Sequence, residues 1–404
     1  MSLKRFLGEV IKEGQLHVRW PRGEIELGDG IGPRIEVLIK SNYWVARILA
    51  NPPLGLGEAY MAGGLSVTVG TLQQLVDLIG RNAKYRPIVR MNAISSWWFD
   101  RRTKRNSRKA ASHNAAHHYD LTEDFFRLFL DGDLQYSCAY FMEPNYTLDD
   151  AQSTKKHRLM TKLLLKPGQR VLDIGCGWGG LAISMARHAR VNVEGITLSP
   201  EQLETARKRA SEKGLTHEVR FDLRDYRDIA GPYDRIVSVG MLEHVGRKNF
   251  DDYFGKIAQV LKDDGVAVVH AIGRADGPAP TDPWIEKYIF PGGYIPALSE
   301  VLAAVERSGL MVADIEILRL HYAQTIHHWT QRFLAHRDQA LQMYGERFCR
   351  MWEFYLAISE LAFRYRGNMV FQLQLAKHPD TAPITRGYIE GAPAASPEVE
   401  RRVA

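Results

Sequence analysis

The sequence predicts an α/β protein: a doubly wound, mostly parallel sheet with helices on both faces, preceded by a small α+β domain. Three observations carry this. After residue 119, short apolar runs alternate with helical stretches, the rhythm of parallel strands joined by crossover helices. One of those runs, Val171-Leu172-Asp173-Ile174, ends in glycines at 175, 177 and 180 and opens a helix. Residues 16–27 and 71–80, by contrast, carry a hairpin pattern followed by a helical one.

In order along the sequence, residues 1–92 form the α+β unit. Leu16, Val18 and Trp20 alternate with polar neighbours, Pro21-Arg22-Gly23 makes a turn, and Ile25 and Leu27 alternate again, which is a hairpin signature. Gly28-Asp29-Gly30 opens a loop. Leu72, Leu75, Val76 and Ile79 recur at helical spacing, and Gly80 is the expected stop. Residues 93–118 form a linker with Trp97-Trp98-Phe99 and then six basic residues in the nine from 101 to 109. Such a run is either a solvated helix or a membrane-surface element, with rings at the headgroup level and basic groups on lipid phosphates.

Residues 119–404 form the main domain. A helix is expected over 121–131, capped by Asp120 and Glu123, with Phe125, Phe126, Leu128, Phe129 and Leu130 on it. This is a core helix whose excess apolar faces could also line a channel. Strands follow at 171–174, 191–196, 234–240, 265–272 and 312–318, and the helix after the glycines covers 181–189. Phe371, Leu373 and Leu375 alternate with polar residues and read as an edge strand.

Composition bounds the class. The protein has 404 residues, 45% apolar and 25% charged, with a formal net charge of +6. That is a folded soluble protein with a bias toward anionic partners. No known nucleic-acid module accompanies the basic run. No uncharged apolar run approaches the roughly 18 residues of a membrane span. Glu9, Lys12 and Glu13 interrupt what would be the apolar core of a signal peptide. Cys138, Cys176 and Cys349 form no C-x-x-C pair and no disulfide framework. A cytoplasmic, reduced protein is expected. His113, His117 and His118 could place two imidazoles on one helix face, but no third ligand has suitable spacing, so no metal is expected.

The glycine loop brings a ligand's polar atoms against backbone at a helix N-terminus. A dinucleotide would want an acid at the end of the second strand, yet that strand ends Gly195-Ile196-Thr197-Leu198-Ser199, with Glu194 inside it. Asp173 stands two residues before the first glycine, and Asp225-Tyr226 follows the next strand. One acid can accept from a ligand ammonium, and the acid–aromatic pair can hold an adenine. That inventory suits S-adenosylmethionine.

The segments VLDIGCGWGGLA (171–182), GITLSPEQ (195–202), MLEHVGRKNF (241–250) and YDLTEDFFRLFLDGDLQYSCAYF (119–141) resemble the cyclopropane-fatty-acyl-phospholipid synthase family, of which the mycolic acid methyltransferases are close relatives. The resemblance runs from about 113 to about 377, and residues 1–92 resemble the N-terminal domain of the bacterial phospholipid enzymes. It implies a sheet of the S-adenosylmethionine-dependent methyltransferase type. It also implies transfer of a methyl carbon to a cis double bond of a phospholipid acyl group, and ring closure from a carbocation with bicarbonate as the base. The ion's cradle would be Cys138, Glu243, His270, the Ile272 backbone and Tyr322; Glu243, His270 and Tyr322 each follow an inferred strand. The cofactor set would be Tyr136, Ser137, Asp173, Gly175, Gly177, Thr197, Leu198, Gln202, Asp225 and Tyr226. Trp178, Tyr288, Phe290 and Tyr294 are further wall candidates.

One departure is visible: Ser359 stands where the family carries a C-terminal cysteine. A serine lacks thiolate nucleophilicity, and the carbocation route needs none. A fatty-acyl C-methyltransferase leaving a methyl-branched alkene, and a catalytically dead lipid-binding protein, are the competing readings. Partners implied are phospholipid acyl groups at the inner membrane face, reached by a peripheral protein, with no nucleic acid. The sequence leaves a homodimer undecided.

Overall fold

The computed structural model describes residues 2–85 and 121–391. The basic linker, its aromatic cluster, the three linker histidines and Asp120 lie outside the described residues. The protein forms two compact units. One collects residues 2–85 with Thr281–Pro291 and Ile326–Asn368; the other holds 121–280, Gly292–Thr325 and 369–391.

In the first unit, strands β1 (Gln15–Trp20), β2 (Gly23–Leu27), β3 (Arg34–Ile39) and β4 (Leu65–Val69) make a sheet ordered β2-β1-β3-β4. Leu16 faces Leu27 and Val18 faces Ile25 across the hairpin, so the alternating residues share one face and enter a core with Ile35, Val37, Ile39 and Leu78. The helix Leu72–Arg81 starts on a Thr71/Gln74 capping box and runs past the expected stop. Gly80 is buried inside it, because a Cβ there would strike the Tyr365 ring. That glycine is a packing contact rather than a terminator.

The unit does not close at the sequence boundary near 92. Trp284, fully buried, packs against Phe354 at 4.8 Å between ring centroids and against Gly57, where any Cβ would clash with it. Glu58 accepts from Lys287 Nζ at 2.8 Å and Tyr288 Oη at 3.0 Å. Apolar periodicity says that 281–291 and 326–368 are buried; it does not say against what.

The second unit holds β5 (Arg170–Ile174), β6 (Asn192–Thr197), β7 (Val219–Leu223), β8 (Tyr233–Val239), β9 (Leu261–Arg274), β10 (Met311–Ile317) and β11 (Asn368–Ala376), ordered β10-β11-β9-β8-β5-β6-β7. The β5–β6, β6–β7, β5–β8 and β8–β9 pairs are parallel, and β10–β11 is antiparallel. Alternate residues go to opposite cores: Leu172, Ile236, Ala267 and Val269 to one, Val171, Val237 and Val268 to the other. Helices cover both faces, which is why these strands read as continuous apolar runs. Strand order reverses between β5 and β8, so the loops leaving those two strands open at the sheet's switch point, where ligands of such folds bind.

Two expectations are corrected. β11 is an interior strand between β10 and β9, not an edge. Its polar residues Gln372 and Gln374 are buried and hydrogen-bonded rather than solvated; polarity stood in for exposure in the sequence, and here it does not. The helix expected over 121–131 is the short Glu123–Arg127, capped by Thr122, whose hydroxyl accepts from Phe125 N. Glu123 does not complete a box: its carboxylate takes Arg127 and the Thr205 hydroxyl.

Candidate active site at the switch point

The loop after β5 is shaped by its glycines. Gly175 and Gly177 have φ of 82° and 54°, a region open to glycine at little cost. Gly175 N and Cys176 N both donate to Ile196 O, at 3.0 and 2.9 Å, which folds the loop over the end of β6. A Cβ at Gly177 would meet open space, whereas one at Gly180 would strike the Asp133 and Gln135 side chains. Backbone at Gly177 is therefore open on its Cβ side, and Gly180 permits internal packing.

Asp173, on β5 just before the loop, is 1% exposed, and its Oδ2 has no hydrogen-bond partner. Burial pushes its carboxyl up to about 7, against the opposing charge of Lys155. Tyr136 and Ser137 sit on a segment that the same lysine holds. Lys155, from the helix Leu148–Lys162, is fully buried and donates to Gln135 Oε1 at 2.6 Å and Ser137 Oγ at 2.9 Å. Gln152 Nε2 donates to the Gln135 and Ser137 carbonyls at 3.1 and 2.9 Å. Asp133 pins the segment's other end on Lys156 and Arg209, whose charges outweigh burial and hold its carboxyl down to about 2. The Tyr136 ring lies 5.3 Å from Phe126, which lies 5.7 Å from Trp178. The phenylalanines expected as channel lining are buried packing: Phe125, Phe126 and Phe129 are all 0% exposed.

Lys155 is a residue that sequence reasoning missed. Burial lowers its ammonium to about 8, and its charge acts on Asp173, Cys138 and His270. One side chain thus touches electrostatically the glycine loop's acid, the 135–138 segment and β9. The available signal was the seven-residue spacing of Lys155 and Lys162, which sets both on one face of an otherwise ordinary helix.

The remaining cofactor candidates are engaged with one another. Thr197 Oγ1 donates to Gln202 Oε1 at 2.9 Å and accepts from Ser199 N at 3.1 Å. Leu198 is half-buried. The Asp225 carboxylate is gripped by Arg227, with Nε at 2.8 Å and Nη2 at 2.6 Å, and Tyr226 beside it is buried. Glu194, within β6, is spent on Arg170, Arg224 and Tyr233.

The cradle residues stand on the short helix after β8, on β9, on the 138–141 segment and on the helix that starts at His321. Glu243, on the short helix Leu242–Val245 that follows β8, accepts from Ile272 N with Oε1 at 2.6 Å; its Oε2 is buried without a partner. The Ile272 N–H is thus donated to Glu243. Burial pushes the Glu243 carboxyl up to about 7, with the Ile272 N–H opposing. His270 lies within β9, not beyond it, because that strand continues to Arg274; two residues from Ile272, it shares its face. Cys138 and Tyr322 stand on two segments joined by their neighbours. Ala139 N donates to Thr325 Oγ1 at 3.0 Å and Phe141 N to His321 Nδ1 at 3.1 Å. These bonds seat the 138–141 segment against the first turns of the helix His321–Ala335, which carries the buried Tyr322. Burial pushes the Cys138 thiol far up, so it is a neutral S–H.

Ser359, in the helix Arg337–Tyr365, and Tyr288 and Phe290 belong to the first unit, where Phe290 packs on Tyr355 at 6.1 Å. Tyr294 remains in the second, with its hydroxyl donated to Glu300 at 2.7 Å. Among the described residues no helix is long and apolar enough to cross a membrane.

Comparisons with known proteins show the family and the fold. The family model for mycolic acid cyclopropane synthetase matches residues 106–373, and a model for a domain of unknown function matches 3–86. The protein is 37% identical to the cyclopropane-fatty-acyl-phospholipid synthase of Escherichia coli, over 85% of this chain and 88% of that one. It is 36% identical to a probable fatty acid methyltransferase of Pseudomonas putida, over 85% and 87%. Among solved structures, the cyclopropane synthase MmaA2 of Mycobacterium tuberculosis superposes with a TM-score of 0.63 at 33% identity, covering 66% of this chain and 98% of that one. The mycolic acid cyclopropane synthase CmaA1, crystallised with SAH and CTAB, gives 0.62 at 33% identity, over 65% and 97%.

Proposed function

The protein belongs to the mycolic acid cyclopropane synthetase family, and on that premise we propose that it closes a cyclopropane ring on a cis double bond of a phospholipid acyl group. It is an S-adenosylmethionine-dependent methyltransferase that modifies lipid acyl groups. The finer reading rests on one observation: two buried carboxyl oxygens without partners, Asp173 Oδ2 and Glu243 Oε2, stand at the loops that leave β5 and β8. Buried polar atoms of this kind lack a partner from the protein itself.

The residues fit S-adenosylmethionine. Asp173 Oδ2 is an acceptor for its ammonium, the open backbone at Gly177 admits its polar tail, and Tyr226 with Asp225 offers a ring and an acid for its adenine. Bound there, it supplies an electrophilic methyl group. The 135–138 segment, clamped by Lys155 and Gln152, holds the reacting face in place. Phe126, Tyr136 and Trp178 keep water out. An alkene is a weak nucleophile, so alignment and dryness are most of what these residues can contribute.

Removal of a proton from the added carbon needs a base. Glu243 Oε2 fits the hydroxyl of a bicarbonate ion, and the Tyr322 hydroxyl is a donor for its oxygens; the Cys138 S–H, directed at Ala139 O at 3.3 Å, would have to turn to join it. The ion when bound supplies the base; the protein holds it. The basic run at 101–109 supports a peripheral protein working at the inner membrane face.

A second reading, C-methylation of the acyl group without ring closure, is favoured by the comparably similar fatty acid methyltransferase of Pseudomonas putida. Lipid mass spectrometry of a host expressing the parent or Gly177→Val decides, once mild hydrogenation has saturated any alkene and spared the ring, because the two products are isomers. Cyclopropane acyl groups with the parent alone support the proposal, and branched alkenes support the rival.

A further inference from the structure

A line of buried groups runs behind the site. His270 on β9 is 2% exposed, and its Nδ1 lies 3.1 Å from Nε2 of Gln372 on β11. The other end of the Gln372 amide lies 2.7 Å from the Lys162 ammonium. Lys162, fully buried, also donates to Glu316, whose second oxygen is held by Arg158 at 2.7 Å. Gln374 Nε2 donates to the Lys162 carbonyl at 2.6 Å, so the lysine is tied to β11 by backbone as well as side chain.

The chemistry of these groups fixes each proton. An ammonium only donates, so the amide end facing Lys162 is the oxygen. The end facing the imidazole is then the NH2, which donates to Nδ1. A nitrogen that accepts a hydrogen bond carries no proton. Burial, with the charges of Lys155 and Lys162 beside it, keeps the ring neutral, and a neutral imidazole holds one proton. That proton sits on Nε2.

We infer that Lys162 and Gln372 are positioning residues that lock His270 in its Nε2–H tautomer, so that the ring enters the site as a hydrogen-bond donor to an anion and not as the proton acceptor. Accepting a proton at Nδ1 would break the Gln372 bond and create a cation between two lysines. The base is therefore left to Glu243 or an ion it holds. This assignment rests on the proposed acyl-modifying site, but its first readout does not depend on turnover.

The test uses the whole protein labelled with 15N in its histidine rings and two-bond proton–nitrogen spectra. His270→Asn identifies the ring's signals among those of the 14 histidines. The parent should show an unprotonated Nδ1 and a protonated Nε2. Gln372→Glu replaces the donor by a carboxylate that Lys162 still satisfies, and it should invert the tautomer. Its S-adenosylmethionine Kd should stay within about twofold while methyl transfer falls at least about tenfold. Lys162→Met, which releases the amide, should show both tautomers.

A parent ring protonated at Nδ1 overturns the inference, and this spectrum decides even if a variant does not fold. A Gln372→Glu ring that stays Nε2–H also overturns it. An inverted ring with undiminished methyl transfer overturns the donor role. Absence of any methyl transfer by the parent, with the expected spectra, refutes the proposed function and leaves the tautomer relay standing.

Discussion

Glu243→Gln should make the protein less active and, at alkaline pH, more stable. The Glu243 carboxyl is buried, with Oε1 on Ile272 N at 2.6 Å and Oε2 unpartnered, and burial lifts it from 4.5 to about 7. The unfolded state releases this proton near 4.5, while the folded state keeps it until about 7. The folded state therefore has full stability from this group below the unfolded value. It loses that stability as pH rises between the two values and is level above them. At about 1.4 kcal/mol per unit, the loss totals about 3 kcal/mol. Glutamine has no proton to lose, so the variant escapes the loss. Its NH2 takes the place of Oε2 with no partner, which costs about 1–3 kcal/mol at every pH. The variant should then be no more stable than the parent near pH 5 and overtake it near pH 8. The stability difference should move by about 3 kcal/mol across that range. Urea denaturation of both proteins at the two pH values measures it, and labelled methyl transfer to lipid, expected to fall sharply, is followed in parallel. Parallel pH profiles would refute the reasoning, because they would mean that Glu243 is solvated or already paired.

Gly177→Val should abolish S-adenosylmethionine binding in calorimetry, since a branched side chain would sit at φ 54° in the open space offered to the ligand; unchanged affinity would remove this loop from the site. Tyr322→Phe should lower turnover by a loss of about 1–3 kcal/mol with cofactor affinity intact, and added bicarbonate should partly restore it by mass action. Ser359→Ala should keep most activity, because a serine lacks thiolate nucleophilicity and the proposed route needs none; a hundredfold loss, about 2.7 kcal/mol of barrier, would bring that position into the chemistry. Charge reversal at Arg101, Arg102 and Lys104 should weaken sedimentation with anionic vesicles at low salt and leave cofactor binding unchanged.

The positions of most strands were legible because burial on both sides leaves a continuous apolar record: Val171-Leu172 and Ile236-Val237 each divide between the two cores; their order in the sheet was not. The glycine loop was legible because positive φ selects glycine. What failed was inference from polarity to exposure. Gln372, Gln374, Lys155 and Lys162 are ordinary polar residues in sequence, and their burial depends on partners that arrive from distant segments. Gly80 reads as a stop because nothing nearby announces Tyr365. The spatial units are hidden for the same reason: Trp284 seeks Gly57 across more of the sequence than any periodicity can span. Motif resemblance names the residues of the candidate site, but the donors and acceptors that give them protonation states come only with the fold.

The most direct test of the account is the fate of a deuterated methyl group. The purified protein is given S-adenosylmethionine bearing three deuterons on its methyl carbon, with vesicles of a cis-unsaturated phospholipid, and the acyl products are weighed. Ring closure breaks one carbon–deuterium bond at the new carbon, so the account predicts acyl products that retain two of the three deuterons, and none with Gly177→Val. Products that retain all three would show that the proton leaves from elsewhere on the acyl group. That would contradict the assignment of Glu243, His270 and Tyr322 to deprotonation of the transferred carbon.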